Sequence, residues 1–295
     1  MSQPIIDIQN LSRSFADKQA LNDISLSVGP GEVLGIVGEN GAGKTTLIKH
    51  ILGMYQAQSG TVEVMGMDPV AEPEKVLAEI GYLSEEPDMP AWMKVSELLN
   101  YTSSFYRNWD QKYAHELVSA FKIDTNKKVK ELSKGQKARV GLVTAQAHKP
   151  KLLLLDEPSS GLDPNVRRDI LGSVIRTVAD AGRTVIFSSH LLDEVERVCD
   201  KLIMIKDGEI ILSDTVENVL NNHYRIVVSS ISSDAPLTAL SGYLTHQYNS
   251  NDVTIDIYGS LEDITAELAA VNIELLSHRL LSLSDIFISR TIPNQ

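Results

Sequence analysis

The chain carries a single cysteine, Cys199, in 295 residues. It can form no intrachain disulfide and no multi-cysteine zinc site, and a reducing compartment is the expected setting. Cys199 itself is expected to be a buried, inert side chain. No apolar run approaches the ~18 residues that a bilayer-spanning helix needs, so work at a membrane would require another chain to do the spanning. The N-terminal stretch MSQPIIDIQN has no basic segment followed by an apolar one, and no secretory leader is expected. Positive charge is in deficit: 27 Lys+Arg stand against 39 Asp+Glu, a formal charge of −12. That balance argues against a protein that wraps naked nucleic acid, where phosphate neutralisation supplies most of the affinity. What is present, 43% hydrophobic and 22% charged residues, is the composition of a globular protein with about two domains.

The chain opens with IIDIQ and LNDISLSV, whose partial alternation is that of half-buried strands. VLGIV is a short apolar run of the kind a buried strand shows. It leads into a glycine-rich loop and then a helical pattern, LIKHILGM. From about Asp88 to Pro150 apolar residues recur at three- and four-residue spacing and predict helices. Strands and helices then alternate through KLLLLD, NVRRDILGSVIRTVADAG, TVIFSSH and KLIMIKDGEIIL, which implies a largely parallel sheet covered on both faces. A division near Glu217–Tyr224 gives two domains, 1–220 and 221–295. In the second, YRIVVSS and VTIDIYG are expected strands and LEDITAELAAV a helix.

Gly38, Glu39, Asn40, Gly41, Ala42, Gly43, Lys44 and Thr45 match G-x-x-x-x-G-K-[ST] at every fixed position. The glycines allow backbone N–H groups to approach phosphate oxygens. The following helix, which takes in Thr46, adds the positive end of its dipole. Lys44 suits the β- and γ-phosphates and Thr45 suits Mg²⁺. A strand before and a helix after are the context this motif requires. Alone it indicates a nucleoside triphosphate and no particular chemistry. Four leucines, Leu152 to Leu155, then lead to Asp156 and Glu157, placing two acids at the carboxyl end of a buried strand, where ligands bind in α/β sheets. Asp156 suits a magnesium ion, and Glu157 suits a general base acting on water.

Together with Leu132-Ser133-Lys134-Gly135-Gln136, these motifs resemble the nucleotide-binding subunits of ATP-binding-cassette (ABC) transporters, whose signature is LSGGQ. Ser133 reads as a helix N-cap, and a capped helix start offers N–H groups to an anion. The resemblance covers about residues 3–220. It implies an α/β phosphate-loop ATPase core with an antiparallel β subdomain and a helical subdomain, plus a small α/β C-terminal domain. It further implies two ATP molecules, with Mg²⁺, closed between head-to-tail cassettes. In that picture Ser133, Gly135 and Gln136 meet the partner's γ-phosphate, Phe15 stacks on adenine, Asp163 of the SGLD segment crosses the dimer seam, and His190 contacts γ-phosphate. Phe15 also has an ordinary reading as a hairpin aromatic. The implied partners are a second nucleotide-binding subunit, identical or homologous, and a polytopic membrane subunit with cytoplasmic coupling helices. The implied location is the inner face of the cytoplasmic membrane.

Two positions depart from the family pattern. Glu85 aligns with the Q-loop glutamine, where a carboxylate can still ligand Mg²⁺ and help sense γ-phosphate, but cannot donate as an amide does. Lys134 replaces the middle glycine of the signature; it would suit phosphates electrostatically, or simply point to solvent. Acidic residues crowd positions 72–97 and basic ones 122–139. Solvated faces account for most such charges, but an acidic groove beside Glu85 would suit a basic coupling helix, with Trp92 and Met93 as apolar anchors or as ordinary packing residues. The ending SLSDIFI resembles exporter-type subunits. The leading expectation is thus an exporter ATPase. An importer ATPase, a soluble mechanoenzyme on the same ATPase head and a non-hydrolysing regulatory subunit are the alternatives. Long coiled-coil insertions, usual in repair ATPases, are absent between Gly38 and Leu132.

Overall fold

The computed structural model describes residues 3–229, 237–249 and 252–291. The chain divides into two compact units, 1–213 and 214–295. The sequence reading set the division at residue 220; the contacts set it earlier, because the short helix 216–221 belongs to the second unit.

The first unit begins with an antiparallel sheet of β1 (Ile6–Phe15), β2 (Lys18–Val28) and β4 (Ser59–Val64) in the order β2-β1-β4. Between β2 and β4 lie β3 (Val33–Val37) and α1 (Lys44–Ile51). The alternating apolar residues of β1 and β2, Ile6, Ile8, Leu21, Ile24 and Leu26, form one core with Leu47, Ile48 and Ile51 of α1. Period-2 and period-3.6 faces thus close on each other.

Next come α2 (Pro73–Leu77), β5 (Ile80–Leu83), α3 (Val95–Ser103), α4 (Gln111–Ala120) and α5 (Lys134–Gln146). Helix α5 is buried on several sides, with Ala138, Val140, Leu142 and Val143 all covered. It has no polar stripe because it packs against α4, β5 and the next helix, α6. The unit continues with β6 (Leu152–Asp156), α6 (Pro164–Ala181), β7 (Thr184–Ser189), α7 (Leu192–Val198), β8 (Lys201–Lys206) and β9 (Glu209–Thr215). The main sheet runs β5-β6-β7-β3-β8-β9. β5 pairs with β6, β6 with β7, β7 with β3 and β3 with β8, all in parallel. Every residue of β3, β6 and β7 is buried, which explains the apolar runs VLGIV, LLLL and VIF within them. Parallel alignment brings the carboxyl ends of β3, β6 and β7 to one edge, and the phosphate loop, the acidic pair and His190 lie there.

Cys199 is buried beside Gly35 on β3, where a Cβ would come within 2.9 Å of its Sγ. Burial pushes its thiol well above the usual range, as an inert cysteine requires. Among the described residues no helix is long and apolar enough to cross a membrane.

The second unit holds α8 (Val216–Asn221), β10 (His223–Ser229), β11 (Tyr243–Tyr248), β12 (Asp252–Tyr258), α9 (Leu261–Ala270), β13 (Leu275–Leu280) and α10 (Leu283–Thr291). Its antiparallel sheet is ordered β11-β12-β10-β13. Ile226, Val228, Val253, Ile255 and Ile257 share one face with Ile264 and Leu268 of α9. The opposite face carries Arg225 and Asp256, directly paired across β10 and β12.

Candidate functional site: a phosphate loop facing an acidic pair

The loop after β3 turns tightly because its glycines permit it. Gly43 has φ 117°, and a Cβ there would lie 2.5 Å from the Ala20 carbonyl; a Cβ on Gly38 would lie equally close to the Ile205 carbonyl. Any side chain would push the loop off β2 and β8. Lys44 folds back into this loop. Its Nζ donates to the Gly38 carbonyl at 2.6 Å and the Glu39 carbonyl at 3.1 Å, and lies 3.0 Å from Glu157 Oε1. The ammonium is buried against carbonyls and a carboxylate, so it is poised for anionic oxygens.

Opposite stand the ends of β6 and β7. Asp156 is only 2% exposed. The Ser188 hydroxyl donates to its Oδ1 at 2.8 Å. Burial pushes the Asp156 carboxyl above the usual carboxylate range, against the lowering hydrogen bonds from Ser188 and Thr45. Thr45 therefore reaches Asp156 across the loop. Glu157 adopts a left-handed backbone with φ 48°, a conformation that costs a non-glycine residue about 1–2 kcal/mol. Its N–H is anchored on Ser188, at 2.9 Å to Oγ and 3.2 Å to the carbonyl. The turn aims its carboxylate at Lys44 on one side and at His190 Nδ1, 2.6 Å away, on the other. Strain of this kind at a strand end persists only where neighbours impose it.

The remaining expected residues distribute unevenly. Glu39, Asn40 and Gly41 form the exposed lip of the loop, Ala42 and Gly43 its buried side, and Thr46 the first turn of α1. Phe15 ends β1, 38% exposed. The same hairpin brings Lys18 Nζ to 3.4 Å from the Gly41 carbonyl, so Phe15 stands beside the phosphate loop. Ser133 caps α5: its Oγ accepts from the Gln136 N–H, while Gln136 Oε1 accepts from the Ser133 N–H. Gln136 is thus a capping residue in this chain. Gly135 is buried, with a would-be Cβ 2.8 Å from Val166 of α6. Lys134 is exposed, with its Nζ near the SGLD segment of its own chain: a Cβ on Gly161 would lie 3.3 Å from it. Asp163 accepts from the N–H groups of Asn165 and Val166 and caps α6. Glu85 lies exposed two residues past β5, with no hydrogen bond or ion pair among the described residues. The structure does not join it to Asp156.

Three residues that the motifs did not reveal complete the site. Ser188 links Asp156 to Glu157. Glu194 of α7, fully buried, accepts from Ser159 at 2.5 Å and Ser189 at 3.4 Å, tying the segment after Glu157 to the strand end before His190. Burial pushes the Glu194 carboxyl up. Tyr82 of β5 has its phenol pushed up to about 12 by burial and the nearby Asp156. An apolar strand reading TVIFSS gave no hint that its two serines do more than end it.

The fold and this edge define a phosphate-loop nucleoside triphosphatase, with its anion cradle and acidic pair on adjacent parts of one sheet. A family model described as ABC transporter matches residues 21–160. The ABC transporter ATP-binding protein YdbJ of Bacillus subtilis (strain 168), an uncharacterized relative, is 32% identical over all of this chain and 98% of its own length. The Nod factor export ATP-binding protein I of Burkholderia lata is 29% identical over 97% of this chain and 96% of its own. Among solved structures, cbiO1 from Clostridium perfringens, part of the ABC transporter complex cbiONQ, superposes with a TM-score of 0.65 at 26% identity. That match covers 75% of this chain and 92% of the other. The chain belongs to the ABC transporter family: it is an ATP-binding subunit and an ATPase.

Proposed function

We propose that this chain powers export through a separate membrane subunit, working as a pair of cassettes that close on two Mg·ATP at the cytoplasmic face of the membrane. One observation carries the reading: Lys44, Asp156, Glu157 and His190 meet at the carboxyl edge of one sheet, two of them in contact with Glu157. The full-length likeness to an export ATP-binding protein and the exporter-like ending support the direction.

The residues fit a triphosphate with a divalent cation. Thr45 and Asp156 would hold Mg²⁺, since such an ion takes one or two protein oxygens and completes its shell with phosphates and water. When bound it neutralises charge developing on the phosphates.

Lys44 moves its ammonium from loop carbonyls and Glu157 to the β- and γ-phosphates, which releases Glu157 Oε1. Glu157 then takes a proton from the attacking water, and His190, bonded through Nδ1 to the other carboxylate oxygen, holds that base in place beside the γ-phosphate. Ser133 and the N–H groups around Gly135 on a second cassette complete the cradle. Asp163, fixed as a cap, carries the SGLD segment to the seam. Glu85, exposed and without a partner among the described residues, senses the phosphates as the cassettes close.

Two measurements test this. Purification with the polytopic subunit, followed by ATP-driven substrate movement in inside-out vesicles, should show uptake into the vesicle lumen. Movement outward would make the chain an importer ATPase, and copurification with no membrane protein would make it a soluble mechanoenzyme. Glu157→Gln should hold the pair closed on ATP in size-exclusion runs; a variant that stays monomeric with Mg·ATP would remove the composite site.

A further inference from the structure

The aromatic at the end of β1 is not a lone platform. Arg13 and Phe15 are two apart on β1, and although the β1–β2 register shifts at Arg13 their side chains meet on one side. The Arg13 guanidinium lies over the Phe15 ring, 4.7 Å from its centroid, and 5.4 Å from that of Tyr55. Tyr55 meets Phe15 edge-on, with centroids 5.3 Å apart and planes at 63°. Arg13 Nη1 also donates to the Gln56 carbonyl at 3.2 Å, fastening β1 to the segment that follows α1. Tyr55 in turn meets His50 of α1 edge-on at 5.6 Å, and Lys49 Nζ stands 5.7 Å from the Tyr55 ring. His50 Nδ1 is 2.8 Å from the Thr46 carbonyl, inside the first turn after the phosphate loop. Burial, with a smaller push from Arg13, holds His50 below the usual histidine range. Its Nδ1–H donates to that carbonyl, which can only accept.

Two buried polar atoms in this assembly, Arg13 Nε and His50 Nε2, have no hydrogen-bond partner among the described residues. Arg13 thus gives up hydration at Nε, and the contacts that hold it there are the two ring faces and the Gln56 carbonyl. A guanidinium over one face of Phe15 and a ring against its edge leave the opposite face as the one a flat ligand can take. The hairpin contact of Lys18 with Gly41 puts the end of β1, and Phe15 with it, beside the phosphate loop.

We propose that Arg13 and Tyr55 are positioning residues for the nucleobase: they clamp Phe15 so that its free face receives the base, and through His50 they fix the distance between base platform and phosphate loop. This rests on the reading of Phe15 as the base platform. The clamp acts on the base alone, so it predicts a loss that depends on whether the ligand has one.

The test compares Mg·ATP with Mg·tripolyphosphate, which carries the phosphates without base or ribose, by titration calorimetry on the full chain, together with steady-state ATP turnover. Arg13→Ala and Tyr55→Ala should each weaken ATP binding and raise KM roughly fivefold, the scale of one lost cation–π or aromatic contact. Tripolyphosphate affinity should stay at the parent value, and so should kcat at saturating ATP. Tyr55→Phe should restore ATP binding, because the edge contact needs only the ring, and Arg13→Lys should restore part of it. Combined with Phe15→Ala, neither alanine substitution should weaken ATP further than Phe15→Ala alone. A parallel loss of tripolyphosphate affinity would overturn the proposal, since the substitutions would then act on the phosphate loop itself. If Phe15→Ala weakens ATP while Arg13→Ala and Tyr55→Ala do not, the platform stands and the clamp falls. If Phe15→Ala leaves ATP binding unchanged, the platform reading fails and takes the clamp with it.

Discussion

Asp156 in the first unit and Asp256 in the second are buried to almost the same degree, 2% and 3% exposed. Their surroundings differ. Asp256 is gripped by Arg225 through Nε at 2.7 Å and Nη2 at 2.8 Å, and accepts from the Ser289 hydroxyl. Asp285 adds a second carboxylate 3.7 Å from the same guanidinium. This carboxylate has a bidentate cation and a hydroxyl, and nothing is left for a ligand to supply. Asp156 has hydroxyls, a neighbouring acid in Glu157, and a carboxyl that burial pushes up. The nearest ammonium, that of Lys44, is paired with Glu157. A buried acid with complete pairing holds a fold together. One left short of positive charge at a strand end is a place where positive charge arrives with a ligand.

That contrast can be broken in several ways. The largest effect should come from Glu157→Gln, which keeps the size of the side chain and removes the proposed base. ATP turnover should fall by about 10²–10⁴-fold, with nucleotide binding retained in a filter or calorimetric assay. A turnover within a few-fold of the parent would take Glu157 out of its role. Asp256→Ala should instead cost stability: it removes the bidentate partner and leaves the half-buried Arg225 with only the more distant Asp285, at up to about 3 kcal/mol. Denaturant unfolding should show the loss in the transition of the second unit, while Mg·ATP affinity stays unchanged.

Acid should act on both units. His148 in the first and His223 in the second are buried, and burial takes each down to about 4. His223 is further set by the Val219 carbonyl and by Arg290, which donates to its Nε2. Both folded pKa values lie below the unfolded 6.5, so the unfolded chain takes up these protons first. Stability is therefore complete above about pH 6.5 and is lost as pH falls toward 4. Thermal unfolding across that range should show both units weakening, and His223→Gln should flatten the slope for the second unit only. The smallest effect expected is that of Ser133→Ala, about 1 kcal/mol for a lost N-cap. If Ser133 also meets a partner's phosphate, ATP-dependent pairing should weaken by more than that unfolding cost accounts for.

Much of the site was legible because it is contiguous. Gly38 to Thr45 and Asp156–Glu157 each follow directly on a strand of unbroken apolar residues, and buried strands in a parallel sheet have that texture. Ser133 was legible as a cap, because Gln136 three residues on closes the capping box locally. Other functions were invisible for a uniform reason: each joins residues far apart in the chain. Ser188 serves Asp156 and Glu157 across two strands, Glu194 reaches back to Ser159, and Arg13 covers Phe15 while meeting Tyr55 beyond α1.

The sequence by itself determined the glycine loop between β3 and α1, the acidic pair at the end of β6 and the alternation that makes a parallel sheet, because glycine spacing, strand apolarity and capping are local properties of the chain. Tertiary structure alone decided that Lys44 faces Glu157, that Lys134 lies near Gly161, and that one buried aspartate is fully paired while the other awaits charge. Those outcomes depend on which strand ends the sheet order brings together, and electrostatics acts over distances in space, not along the chain.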